Sequence, residues 1–315
     1  MVKVFIVILN FNGWQNTAEC LKSILNLDVP RGVTVEPIVI DNASSDSSVR
    51  KIKEEFPKLI MIENQTNMGF TGGNNEGMRL ALASGADFVM LLNNDTVVRP
   101  DLIKNLLEPF TRGTRDTLDT SDTLSVGAFV PKIYFEKGYE FHKNRYKDSE
   151  KGKVIWYAGG KMDWENLIGE NIGVDEVDHG QFDIRMEIEL ATGCCFMVRS
   201  DVLKNVGMFD DRYFLYYEDA DLSQRIKKAG FKIIYEPKAI LWHKNAESSG
   251  GSGSDLQDYY ITRNRLLFGM TYAPIRTKLA LVRESFDLLA KGRKWQRRGA
   301  IDFYLRRFGR GTFKI

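Results

Sequence analysis

The 315 residues suffice for one large domain or two small ones, and with 43% hydrophobic and 27% charged residues the composition is that of an ordinary globular chain. A count of 44 basic and 42 acidic residues leaves a formal charge of +2, so no overall field points to nucleic acid and no nucleic-acid partner is expected. The distribution is uneven: from Lys278 onward, 11 Lys and Arg stand against 3 Asp and Glu, a local +8 that leaves −6 on the rest.

The opening "MVKVFIVILNFNGW" has too short an apolar run for a signal peptide and reads as a first strand. A helix from Trp14 to Leu27, the strand "VEPIVID", a helix in "SDSSVRKIKEEF" and the strand "KLIMIE" follow. A glycine-rich loop, "NQTNMGFTGGNNEG", leads into a helix through Ala83 and then the strand "DFVMLL". This alternation predicts an α/β chain with a parallel sheet whose strand ends gather on one edge. Residues Thr111 to Asp122 read as a loop or disordered excursion. Beyond "VGAFVPKIYF" come short strands in "VIWYAGGKMDW" and "IELATGCCFMV", then a helix from Ser200 or Asp201 and another from about Asp219 to Ala229, closed by Gly230. The strands "KIIYE" and "AILWH", a Ser/Gly-rich mobile loop and a long helical region from Leu256 complete the chain. Cys20, Cys194 and Cys195 match no zinc spacing and include a vicinal pair that does not bridge easily, so a cytoplasmic setting is expected. No segment approaches the roughly 20 apolar residues of a membrane-spanning helix.

Polar residues at the ends of apolar strands are the candidates for chemistry. Ligands of open α/β sheets gather outside the carboxyl ends of the strands, which singles out Asp41 and the run Asn93, Asn94, Asp95, although Asn and Asp also form turns. Asp41 is placed to bond a ribose or base edge, beside a helix start capped by Asn42, Ser44 or Ser45. Asp95 supplies the oxygen that a hard divalent cation on a diphosphate requires. In "YYEDADL", the carboxylates Glu218, Asp219 and Asp221 repel one another, which raises one pKa and favours a proton acceptor; acids at a helix N-terminus are the plainer reading. His243 ends an apolar strand and is either structural or a further metal ligand. Gly69 and Gly72 permit close backbone approach to a ligand, without a dinucleotide or P-loop pattern, and Arg263 could clamp a diphosphate or lie on a solvated helix face.

Taken in order, "VILNFNGW", "VIDNASSD", "NMGFTGGNNEG", "LLNNDT", "ATGCCFMVRSDVLKNVGMFD", "YFLYYEDADL" and "WH…YYITRNRLL" resemble glycosyltransferase family 2, in particular its rhamnosyltransferase-like members, over about residues 2 to 270. The resemblance implies a GT-A (nucleotide-diphospho-sugar transferase) fold with a mostly parallel central sheet and inverting transfer from a nucleotide-activated sugar. It implies that Asp41 recognises the base, that Asp95 binds metal or diphosphate with His243 as a second ligand, and that Asp219 is the catalytic base. "NND" stands in place of the family's DxD, with Asn93 where the first Asp would be. Asn10, Asn42, Asn75 and Asn94 are expected to join Asp41, Gly69, Gly72 and Arg263 in holding the nucleotide-sugar, and Tyr216, Tyr217 and Glu218 to border the acceptor. A UDP- or dTDP-sugar donor, a saccharide or lipid-linked acceptor, and Mg or Mn as cofactor complete the expectation. The alternatives are a sugar-1-phosphate nucleotidyltransferase and a catalytically silent nucleotide-sugar binding protein.

Residues 273–315 are set apart from 1–272 as a basic amphipathic helical extension. Ile275, Leu279, Val282, Phe286 and Leu289 form one apolar stripe, and Ile301, Tyr304, Leu305 and Phe308 a second. Such helices either lie on an anionic membrane, here the inner face of the cell membrane, or pack onto the main domain or a second subunit.

Overall fold

A computed structural model describes residues 1–111, 125–142, 144–245 and 253–314. Residues 112–122 of the polar excursion and 246–252 of the Ser/Gly-rich loop lie outside them. The first part runs β1 (Val2–Asn10), α1 (Trp14–Leu25), β2 (Val33–Asp41), α2 (Ser48–Glu55), β3 (Ile60–Glu63), α3 (Gly69–Ala83), β4 (Phe88–Asn93), β5 (Thr96–Val98) and α4 (Leu102–Thr111). The middle holds β6 (Val126–Phe135), β7 (Ile155–Tyr157), β8 (Gly160–Asp163), β9 (Ile168–Asn171), β10 (Met186–Glu187), β11 (Cys195–Arg199), α5 (Ser200–Val206) and α6 (Glu218–Lys228). The chain ends in β12 (Lys232–His243), α7 (Asp255–Tyr272), α8 (Ile275–Lys291) and α9 (Lys294–Tyr304).

One mixed sheet takes the order β10, β12, β6, β11, β4, β1, β2, β3, with β5 against β12 and β7 against β6. Strands β3, β2, β1 and β4 are parallel, and β11 is inserted antiparallel between β4 and β6. Val4 to Ile8 of β1 are fully buried or nearly so, as a continuous apolar strand covered on both faces must be. The parallel half brings Asn10, Asp41 and Asn93 to one edge, the edge that the strand pattern predicts.

Two elements differ from the reading of the sequence. The glycine-rich segment is the first half of α3, not a loop. A Cβ at Gly73 would collide with Leu9, and one at Gly77 with Val7, so these glycines let the helix close onto β1. "KIIYE" and "AILWH" form the single strand β12, irregular between Glu236 and Ile240, where Pro237 has no N–H to give the ladder.

The C-terminal helices share a core with the main body. One apolar cluster unites Leu167, Tyr213, Leu266 and Phe268 with Leu281 and Ala300, Arg293 pairs with Asp258, and Tyr259 donates to Asp302 Oδ2 at 2.6 Å. The boundary at 272/273 therefore marks a change of composition within a shared core. On α8 the buried line is Leu281 and Ser285. Of the predicted apolar stripe, Ile275, Leu279 and Phe286 remain 73%, 66% and 61% exposed, and Phe286 stacks on Tyr304 of α9.

Candidate active site

The strand ends, the start of α3 and the start of α6 surround a cavity of about 400 Å³ lined by Asn42, Gly69, Asn94, Asp95, Tyr216, Glu218, Asp219 and His243. His243 comes from the far end of the chain, and strand pairing delivers it: β12 runs antiparallel to β5 with His243 opposite Thr96, next to Asp95. His243 Nε2 lies 3.1 Å from Asp95 Oδ1, Trp156 packs edge-on against the imidazole, and Nδ1 is buried with no hydrogen-bond partner among the described residues.

A chain of hydrogen bonds joins the other strand ends. Asn10, opposite Asp41 in the β1/β2 ladder, donates to Asp41 Oδ1 at 2.7 Å and accepts from the Thr17 hydroxyl at 2.7 Å. Thr17 Oγ1 in turn accepts from Asn94 Nδ2 at 2.9 Å. Asp41 is also held by the Ser44 amide at 2.9 Å and hydroxyl at 2.6 Å, and is almost completely buried. Asn10 and Asp41 thus sit beside the cavity rather than on its wall. Asn42 does line it, and its amide organises the turn that opens α3 by accepting from Met68 N and donating to the Gly69 carbonyl, both at 3.0 Å. Thr17 was not singled out by the sequence: it lies inside an amphipathic helix, and only the fold shows that it bridges two asparagines.

The carboxylates of "YYEDADL" separate by environment. Asp221 is a structural ion pair, accepting from Arg225 Nε at 2.8 Å and from the Tyr272 hydroxyl at 2.7 Å. Asp219 faces the cavity, its carboxylate accepting from Gly193 N at 3.0 Å and Ala220 N at 2.8 Å. Burial pushes its pKa above the ordinary 3.8, opposed by those backbone N–H groups. Glu218 is raised well above 4.5 by burial and then by the neighbouring Asp219 charge, and its Oε2 has no hydrogen-bond partner among the described residues. Burial thus shifts both carboxyls upward, Glu218 well above its ordinary value, while the Gly193 and Ala220 N–H groups oppose the shift at Asp219.

The loop that delivers them is strained. Phe214, Tyr216 and Tyr217 have φ of 67°, 69° and 72°, a left-handed conformation costing roughly 1–2 kcal/mol for each side-chain-bearing residue. Asn264 of α7 holds it: its Nδ2 lies 2.9, 2.7 and 2.9 Å from the carbonyls of Tyr213, Leu215 and Tyr216. Gly69 is needed from the other side, because a Cβ there would come within 2.5 Å of the Phe214 carbonyl.

Besides Asn10 and Asp41, three more of the expected nucleotide-sugar residues do not line the cavity. Gly72 is buried inside α3, where a Cβ would meet Met68 at 2.8 Å. Asn75 is committed to Phe209 and Asp211, donating at 2.9 and 2.7 Å. Arg263 is fully buried between the Tyr259 and Tyr260 rings, and donates to the carbonyls of Gly309 at 2.7 Å, Tyr213 at 2.8 Å, Arg212 at 3.1 Å and Arg307 at 3.4 Å. Its guanidinium fastens the C-terminal segment to the strained loop and has no donor directed at a diphosphate. Tyr217 faces a second cavity, with its hydroxyl on the Leu167 carbonyl at 2.8 Å.

The family model described as glycosyl transferase family 2 matches residues 5–207. N-acetylglucosaminyl-diphospho-decaprenol L-rhamnosyltransferase of Mycobacterium tuberculosis is 26% identical over 234 residues, 72% of this chain and 71% of that protein. Among solved structures, the mannosyltransferase PcManGT of Pyrobaculum calidifontis, in complex with GDP-Man and Mn2+, superposes with a TM-score of 0.53 at 16% identity, covering 99% of this chain and 76% of that one. S. aureus TarS 1-349 in complex with UDP-GlcNAc gives 0.56 at 14% identity, covering 96% and 79%.

Proposed function

This chain belongs to glycosyl transferase family 2, and from that premise we propose that it moves a sugar, with inversion, from a UDP- or dTDP-sugar to a hydroxyl of a saccharide or lipid-linked acceptor in surface-polysaccharide assembly. The observation that carries this reading is a single cavity lined together by Asn42, Asp95, His243 and Asp219. The acceptor oxygen bonds to the anomeric carbon as the bond from that carbon to the diphosphate oxygen breaks. The hydroxyl proton passes to Asp219, and the electron pair leaves with the nucleoside diphosphate. The M. tuberculosis relative makes rhamnose the first sugar to test. Asp41, the group expected to choose uracil or thymine, lies beside the cavity with its oxygens accepting from Asn10 and Ser44, so the base preference rests on the binding test below rather than on a free acceptor.

Among the described residues no group of three or more His, Cys, Asp or Glu is placed to hold a metal. The pair Asp95 and His243, one carboxylate and one imidazole, still fits the protein's share of a divalent cation whose other ligands are diphosphate oxygens and water. A bound Mg2+ or Mn2+ supplies charge to neutralise the leaving diphosphate. Asp95→Ala and His243→Ala should each weaken nucleotide binding in manganese by roughly ten- to a hundredfold, the loss of one charge-assisted contact, with the difference from wild type vanishing in EDTA. Calorimetric titration with UDP, dTDP and GDP reads this directly. An unchanged His243→Ala affinity returns that residue to a structural role, and tighter GDP binding overturns the base assignment.

Among the described residues no helix is long and apolar enough to cross a membrane. The exposed Ile275, Leu279 and Phe286, with Arg276, Lys278 and Arg283 adjacent in sequence, support contact with an anionic membrane surface, each nearby basic residue adding about 1 kcal/mol. Flotation with phosphatidylglycerol vesicles at low salt should be lost in Phe286→Glu. Equal flotation with neutral and anionic vesicles contradicts this role.

A further inference from the structure

Helix α1 braces the turn that carries Asn94 and Asp95. Thr17, Cys20 and Ser23 recur on it at helical spacing: Cys20 Sγ lies 3.8 Å from the Asn93 carbonyl, and Ser23 Oγ accepts from Val98 N at 3.1 Å. Thr17 is fully buried and meets the turn through the Asn94 side chain. The hydrogen bonds on its other side decide which end of the Asn94 amide it meets. A carboxylate only accepts, so the end of Asn10 that faces Asp41 is Nδ2 and the end that faces Thr17 is Oδ1. The one hydroxyl proton of Thr17 is therefore spent on Asn10 Oδ1 at 2.7 Å, with the Gly13 carbonyl, another acceptor, at 3.1 Å. Only lone pairs remain for Asn94, which must turn its Nδ2 to Thr17, at 2.9 Å. Gly13 leaves room for that nitrogen, since a Cβ there would stand 3.1 Å from it.

Asn94 lines the first cavity beside Asp95, and no described residue donates to its Oδ1. With the nitrogen turned back to Thr17, the oxygen is the end left to the cavity. An amide oxygen beside a carboxylate attracts a divalent cation and repels the oxygens of a bare diphosphate. An amide nitrogen in the same place would do the reverse and donate to the diphosphate. Resting on the reading of this cavity as a nucleotide-sugar site with a cation at Asp95 and His243, we infer that Thr17 is a positioning residue: its hydroxyl holds the Asn94 amide oxygen toward the cavity and so makes nucleotide binding depend on the cation. Thr17 itself does not line the cavity and acts only through Asn94.

Calorimetric titration of the full chain with UDP, in manganese and in EDTA, tests this. Wild type should bind more tightly in manganese. Thr17→Val fills the same space without the hydroxyl and frees the Asn94 amide to turn over, so its affinity in manganese should fall about tenfold, the worth of one contact to a charged group, while its affinity in EDTA holds or rises. Thr17→Ser keeps the hydroxyl and should retain the wild-type ratio of the two affinities. Asn94→Leu, at a half-buried position where folding does not depend on Thr17, should also lose affinity in manganese alone. A fall in EDTA for Asn94→Leu would mean that its nitrogen faces the diphosphate, and a fall by the same factor in both conditions for Thr17→Val would mean a structural loss. Either result, or affinities of Thr17→Val unchanged in both conditions, overturns the inference and leaves the glycosyltransferase reading standing. A wild-type chain that binds neither UDP nor dTDP, or binds them equally in manganese and EDTA, overturns the reading of the cavity and this inference with it.

Discussion

Asp219→Asn is expected to cut turnover by about 10²- to 10⁴-fold, the usual worth of a general base, while donor affinity stays within a few-fold of wild type. The amide cannot accept the proton, yet it occupies the same space beside the amides of Gly193 and Ala220. The pH dependence follows from the direction of the shift. Because burial raises the folded-state pKa above 3.8, wild-type kcat/KM should climb with pH to a limb above that value and then level. For stability, a raised acid pKa means that the folded chain keeps its proton where the unfolded chain has lost it, so ionising Asp219 costs stability as pH rises from 3.8 through the folded pKa. The variant removes that cost and loses one acceptor for a backbone N–H, so its Tm should remain near wild type. Steady-state kinetics and thermal melts over the same pH range check both statements. Near wild-type turnover would transfer the role to Glu218, since Asp221 is tied to Arg225.

Arg263→Met should lower Tm by on the order of 10 °C, from a loss of about 3–5 kcal/mol when buried acceptors lose a charged partner. The four carbonyls it serves belong to the strained loop and the C-terminal segment, so turnover should fall as the loop loosens, with donor KM changing little. A raised donor KM at unchanged Tm would instead mean that Arg263 contacts the diphosphate, contrary to its burial.

What could be read from the sequence follows from the range over which each feature is encoded. Asn93 to Asp95 stand out because an apolar run ends abruptly in polar residues, and a parallel sheet places such endings together. The Glu218 to Asp221 cluster is visible as chemistry, but only Arg225, Tyr272 and the Gly193 amide distinguish its members. The meeting of His243 with Asp95 depends on the antiparallel β5/β12 pairing, which no local pattern specifies. Arg263 looks like a surface clamp in sequence because the segment that buries it, near Gly309, returns from 46 residues away. Asn264 carries no chemical signal in the sequence, although its spacing from Tyr260 and Leu267 places it on the buried face of α7. The glycines from Gly69 to Gly77 suggest a loop by propensity, and helix–strand contact with Leu9 and Val7 overrides that preference.

The central claim, transfer of a glycosyl group with Asp219 as base, is tested most directly by incubating the chain with manganese, a panel of UDP- and dTDP-sugars and octyl glycosides, and following products by proton NMR. The expected result is nucleoside diphosphate released in step with a new glycosidic linkage of anomeric configuration opposite to that of the donor, abolished in Asp219→Asn. Retained donor configuration in the product, or pyrophosphate release from a sugar-1-phosphate and a nucleoside triphosphate under the same conditions, would contradict it.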